Sequence, residues 1–183
     1  MTNLIAFTGP RFSGKTTLAN QLKNYNWKTT SFATPIKNML RTLLANQNNL
    51  DLDIVERMLY GDLKEIPTKY LNGVSPRYVM QTLGTEWRDL IHRDLWLDIW
   101  KRSIDLKKEK IIVDDLRFIH EANRIKSLDG ILVYISRNQN RTPDFHISEQ
   151  ELKKIIPDFT IDNNHNPEDM IFQLNHYLKG EIF

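Results

Sequence analysis

The chain has 183 residues, 40% hydrophobic and 26% charged, which suits a single domain over residues 1–183 with a sizeable core. A formal net charge of +2 is too small to point to nucleic acid, although a pI near 8.7 suits anionic ligands. The lack of cysteine excludes disulfides, thiolate catalysis and cysteine-bound zinc and fits a reducing cytoplasm, while no apolar run is long enough to span a bilayer.

In chain order, Leu4-Ile5-Ala6-Phe7 reads as a buried parallel strand, begun so early that no room is left for a signal peptide. It leads into Gly9-Pro10-Arg11-Phe12-Ser13-Gly14-Lys15-Thr16: glycine, four residues, then Gly-Lys-Thr. Thr17 to Leu22 continues as a helix with Leu18, Ala19 and Leu22 on one face. Strand, glycine loop and helix in that order form a phosphate-binding loop for a nucleotide. Gly9 and Gly14 let phosphate oxygens approach the main chain. The N–H groups around Ser13, Gly14, Lys15, Thr16 and Thr17 supply partial positive charge at the helix start. Lys15 is placed to reach the β- and γ-phosphates, and the Thr16 hydroxyl to ligate Mg²⁺.

Lys28 to Ala33 reads as a second strand. Thr34-Pro35 then opens a helix through Ile36, Met39, Leu40, Leu43 and Leu44, broken at residues 46–49. A short helix at Ile54–Leu59, a charged loop after Gly61 and an Asn72-Gly73 turn follow. Ser75-Pro76 opens a helix reaching about His92, and another runs from Asp94 to about Asp105. Residues from about 45 to 108 therefore read as a helical insertion suited to a second substrate. Lys110 to Leu116 is an apolar strand ending in Asp114 and Asp115, the shape of a second metal-site signature.

A helix over Ile119–Ser127, a strand over Ile131–Ile135 and a polar loop from Ser136 come next. Ser148 with Glu151 forms a capping box before a helix that stops at Pro157. Phe159–Ile161 is a last short strand, and Asn166-Pro167 starts a final helix. Strands alternating with helices give a three-layer α/β fold with a parallel sheet.

Several of these stretches together resemble the deoxynucleoside monophosphate kinases of bacteriophages. They are Gly9 to Thr16; Phe32 to Lys37; Lys64-Glu65; Arg77 through Gln81-Thr82-Leu83-Gly84-Thr85-Glu86-Trp87; Asp94-Leu95-Trp96; Asp115-Leu116-Arg117-Phe118 with Glu121; and His146 to Glu149. The resemblance implies a P-loop kinase fold with a helical monophosphate-binding insertion and a small lid over about 136–147. It implies transfer of the γ-phosphoryl group of ATP, with Mg²⁺, to a deoxynucleoside monophosphate. It also implies a bacteriophage origin and a place in the host cytoplasm, with no nucleic-acid or membrane partner. The chain departs from the family where Arg88 follows Trp87 directly, without the intervening glycine.

Phosphoryl transfer asks mostly for positioning and charge neutralisation. The catalytic expectation is therefore Lys15, Arg117, Arg137 and Asp115, with Thr16 and Asp115 on the metal because Asp115 matches the family's Asp-x-Arg; Asp114, on the opposite face of the strand, stays open as the alternative. The substrate set is Phe32, Lys37, Lys64, Arg77, Gln81, Gly84, Thr85, Arg88, Trp96, Asp115, Arg117 and Glu121. Phe32 and Trp96 would sandwich the base and Gln81 would read its edge. Each has a plainer alternative: aromatic core, a solvated cation, or an Arg117–Glu121 pair along one helix. Trp27 and Trp100 read as packing. Another P-loop small-molecule kinase, of phosphomevalonate or dephospho-coenzyme A type, is the nearest rival; a nucleotide-dependent switch or nucleic-acid-processing ATPase is the more distant one. A homodimer is left open.

Overall fold

In the computed structural model, which describes residues 2–48, 50–138, 151–152 and 154–182, five parallel strands form one sheet. They are β1 (Leu4–Thr8), β2 (Trp27–Thr30), β3 (Lys110–Val113), β4 (Ile131–Ser136) and β5 (Phe159–Asp162), in the order β2-β3-β1-β4-β5. β1 is central, with Ile5 in register with Ile112 on one side and Ile131 on the other. All five of its residues are buried, as a strand covered on both faces requires.

Alternation along the strands sorts the two faces. Ile5, Phe7 and Ile112 pack with Leu18 and Leu22 of α1 (Lys15–Leu22) and with Met170 and Leu174 of α7 (Asp169–Tyr177). Leu4 points the other way, toward Ile125 of α6 (Ile119–Lys126); a Cβ on Gly130 would run into both side chains. Helices on both faces make the three-layer arrangement. The chain leaves β1 toward the β2 edge and later crosses to β4 on the opposite side. The carboxyl end of β1 is thus a topological switch point, where open parallel sheets bind ligands.

The chain divides into two compact units, Met1–Ser31 with Ser103–Phe183, and Phe32–Arg102. The first holds the sheet. The second holds α2 (Thr34–Asn48), α3 (Leu52–Tyr60), α4 (Pro76–Leu90) and α5 (Leu95–Arg102) around Ile36, Leu40, Leu44, Val55, Leu59, Met80 and Trp96. Its caps follow the sequence: Asp51 accepts from the Asp53 N–H at 2.8 Å, and Ser75 from the Tyr78 N–H at 3.2 Å ahead of Pro76.

Three details differ from the sequence reading. α2 begins this unit, ahead of the boundary near residue 45, and continues through Asn48 because Leu44 is anchored in the core. Its buried stripe is Ile36, Leu40 and Leu44, whereas Met39 and Leu43 are exposed. β2 is shorter than expected, ending at Thr30. Trp27 and Trp100 are both buried. No helix among the described residues is long and apolar enough to cross a membrane. Beyond Asn138 the expected lid over about 136–147 lies outside the described residues, as do the motif residues His146 to Glu149.

Candidate nucleotide site

The loop after β1 has the backbone that its glycines permit. Gly9 and Gly14 sit at φ of +137° and +106°, conformations that side chains rarely adopt. Space matters as much: a Cβ on Gly9 would strike the Ile135 carbonyl oxygen, and one on Gly14 the Asn163 amide. Phe12 is also left-handed, at φ 63°, with its ring turned out to solvent. Lys15 is buried, and its ammonium donates to the carbonyls of Gly9 at 2.8 Å and Pro10 at 2.6 Å. The cation is thereby held inside the loop that a phosphate would enter. Two outward carbonyls are also taken: Arg137 Nη1 donates to Phe12 at 3.4 Å and Asn163 Nδ2 to Ser13 at 2.7 Å.

The carboxylate that the Thr16 hydroxyl meets is Asp114, the neighbour of the expected Asp115. The Thr16 hydroxyl donates to Asp114 Oδ2 at 3.5 Å. The cause is strand parity: Ile112 faces α1, and Asp114, two residues on, keeps that face. The Asp114 N–H still reaches Thr30 O at 3.4 Å, so the backbone stays extended to this point. A hydroxyl and a carboxylate so placed fit Mg²⁺, which takes few protein oxygens and keeps the rest of its shell for water and phosphate. The Asp115 charge bears on Glu121.

Glu121 is committed to its own turn rather than open to a substrate. Its Oε2 accepts from the N–H groups of Arg117 at 2.7 Å and Phe118 at 3.0 Å, capping the start of α6. Part of the residue stays open, but the carboxyl end is enclosed. Loss of water there, reinforced by the Asp115 charge, pushes its pKa up to about 8 against the pull of those N–H groups and the Arg117 guanidinium. The Arg117 main chain is thus fixed by Glu121, and its side chain remains half-buried.

In the helical unit several candidate side chains are engaged with neighbouring side chains. Arg77 Nε lies 3.7 Å from Glu65, and Arg88 Nε donates to Asp89 at 3.0 Å. The Lys37 ammonium stands 4.1 Å over the Tyr60 ring, which Arg41 also approaches at 6.0 Å. Lys64 is half-buried in the Asp62–Glu65 turn, while Gln81 and Thr85 are exposed on α4. A Cβ on Gly84 would come 3.2 Å from Ile36, so this glycine lets α4 close onto α2.

Phe32 and Trp96 are core residues, not open faces for a base. Phe32 is 4% exposed and meets Trp100 edge-on at 4.8 Å; Trp96 is 7% exposed and stacks on Trp87 at 6.1 Å. Trp87 is the more open of that pair, at 39%.

The sequence reading names Asp114 as the alternative to Asp115 and gives no role to Asn163. Counting in twos does not choose between the carboxylates, since Ile112 leads to Asp114 and Val113 to Asp115 and both core residues are buried. Asn163 carries no motif; only its place at the end of β5 marks it.

Residues 42–174 match the family model described as deoxynucleotide monophosphate kinase. A protein of Acanthamoeba polyphaga mimivirus, provisionally described as a deoxynucleotide monophosphate kinase, is 30% identical over 188 residues, covering 93% of each chain. Among solved structures, the dephospho-CoA kinase of Campylobacter jejuni is similar over 100% of this chain and 98% of its own. Its TM-score is 0.50 and its identity 15%, a likeness of fold alone.

Proposed function

The chain belongs to the deoxynucleotide monophosphate kinase family and is a kinase, and from that premise we propose that it phosphorylates deoxynucleoside monophosphates with ATP. The acceptor's phosphate oxygen attacks the γ-phosphorus, the bond to the bridging oxygen breaks, and ADP departs with the electron pair. The observation that carries this reading is the cradle after β1: two sterically required glycines, a lysine held within the loop, and Thr16 beside Asp114.

The residues divide the work by charge. Lys15 exchanges the Gly9 and Pro10 carbonyls for phosphate oxygens, and the N–H groups from Ser13 to Thr17 line the remainder. Thr16 and Asp114 are the residues that would hold Mg²⁺, which would supply neutralisation of phosphate charge. No general base is required, because the acceptor phosphate has a second pKa near 6 and is largely dianionic at neutral pH. Guanidinium groups bring the two anions together: Arg117, on the turn held by Glu121, and Arg137, beside the loop, act from the sheet unit. The helical unit binds the acceptor, with Arg77, Arg88, Lys37 and Lys64 as its phosphate-side cations. Gln81 and Thr85 are the exposed polar groups of α4 available to the nucleoside. Arg77 and Arg88 exchange their carboxylate partners for phosphate.

A coupled ADP-release assay with Mg·ATP and a panel of monophosphates tests this reading. Turnover is expected with at least one deoxynucleotide and not with phosphomevalonate; background rates across the panel would refute it. Arg117→Ala is expected to abolish transfer while leaving ATP affinity largely intact. An equal loss of ATP affinity would put this arginine on the other substrate.

A further inference from the structure

A phosphate cradle works only if its N–H groups face inward, and that turns its carbonyls outward, where they need donors of their own. At Ser13 the donor is Asn163, whose Nδ2 lies 2.7 Å from the carbonyl oxygen. The reverse amide orientation would set oxygen against oxygen, so the contact fixes the orientation. The same amide occupies the space that a Cβ on Gly14 would need. Asn163 therefore touches both sides of the peptide joining Ser13 to Gly14, the unit that presents the Gly14 N–H.

Its own mounting is rigid. The Asn163 N–H donates to Ser136 O at 2.9 Å, continuing the β4–β5 pairing by one residue. Just before it, Gln173 of α7 brackets the Asp162 main chain, accepting from its N–H at 3.0 Å and donating to its carbonyl at 2.9 Å. Just after it, Asn164 accepts from the Asn138 N–H at 2.6 Å. The side chain is 4% exposed, and its Oδ1 is buried without a hydrogen-bond partner among the described residues. An orphaned buried oxygen costs stability. Folding alone would be served better by a leucine of similar shape, which leaves the bond to Ser13 as the use of the amide.

We propose that Asn163 is a positioning residue of the phosphate loop, setting the Ser13–Gly14 peptide so that its N–H points at the nucleotide's phosphates. This rests on the kinase reading only for the identity of the acceptor; the loop's grip on a nucleoside di- or triphosphate is measured without it.

The test is calorimetric titration of Mg·ADP into wild type and Asn163→Leu, with Asn163→Asp as a second variant should the leucine fail to fold. Loss of this bond is expected to weaken ADP binding about ten-fold. KM for ATP should rise in parallel, KM for the monophosphate should stay within about two-fold, and the melting temperature without nucleotide should be unchanged or higher for leucine. Asn163→Asp, which sets an acceptor against the Ser13 carbonyl, should lose more. Asn175→Leu is the control, because that amide accepts from the Ile182 N–H away from the loop; it should lower melting temperature and leave ADP affinity alone. ADP affinity in Asn163→Leu within two-fold of wild type, or a loss matched by Asn175→Leu, would overturn the proposal. Wild type that binds ADP yet phosphorylates no monophosphate would remove the kinase reading, and the titration would still decide the role of Asn163.

Discussion

The sheet unit and the helical unit hold their polar residues in different ways. In the sheet unit the backbone does the positioning: Lys15 rests on carbonyls, Glu121 on N–H groups, and Arg137 and Asn163 on the outer carbonyls of the loop. In the helical unit side chains hold side chains: Arg77 with Glu65, Arg88 with Asp89, Lys37 over Tyr60, Trp96 on Trp87. A backbone-defined site keeps its geometry through ligand exchange. Ion pairs open to water on the carboxylate side, as at Arg77–Glu65 and Arg88–Asp89, are worth little in stability and are cheaply exchanged for a phosphate. A nucleotide tail common to many substrates suits the first kind of site, and a variable acceptor suits the second.

The largest expected effect lies in the sheet unit. Lys15→Ala should lower kcat/KM by about a thousand-fold with little change in fold. A loss below ten-fold would remove the lysine from the chemistry. In the helical unit the counterpart is Phe32→Ala, which should cost roughly 3–5 kcal/mol by chemical denaturation. Base preference among surviving molecules should not change. A changed preference at full stability would return Phe32 to the base site and blur the contrast between the units.

The two carboxylates sharpen it. Asp114→Asn should reduce kcat about a hundred-fold and raise the Mg²⁺ concentration for half activation, whereas Asp115→Asn should leave that concentration near wild type. The opposite ranking would mean that parity along β3 does not decide the metal side.

The smallest effect is a slope. Glu121, with a pKa raised from 4.5 to about 8, binds its proton more tightly folded than unfolded. Between those values the folded state carries the extra proton, so stability falls as pH rises through this window, by at most about 1.4 kcal/mol per pH unit. Denaturant midpoints of Glu121→Gln, which keeps an acceptor for the turn, should be flatter between pH 5 and pH 8. An unchanged slope would assign the titration to another group.

What the sequence made legible follows the same division. The loop from Gly9 to Thr16 could be read directly, since the spacing of its glycines, lysine and threonine is dictated by phosphate geometry. The alternation of strands and helices gave the sheet, and Ser75-Pro76 the start of α4, because caps and periodicity act locally. Asp114 against Asp115 could not be decided without knowing which face of β3 carries α1. Phe32 and Trp96 look alike as core or as base platform, because a ring's burial depends on neighbours far along the chain. Glu121 was weighed as an ion-pair partner of Arg117 and as a substrate ligand; its bond to the Arg117 main chain belongs to neither reading. Asn163 was invisible because its partner, Ser13, is 150 residues away.

The central claim is that the terminal phosphoryl group of ATP passes to a second nucleotide's phosphate. Incubation with γ-labelled ATP and a panel of deoxynucleoside monophosphates, followed by separation of the products, tests it most directly. The label is expected on the β-phosphate of a deoxynucleoside diphosphate, in an amount equal to the ADP released. Label found only in inorganic phosphate, whichever monophosphate is supplied, would contradict it.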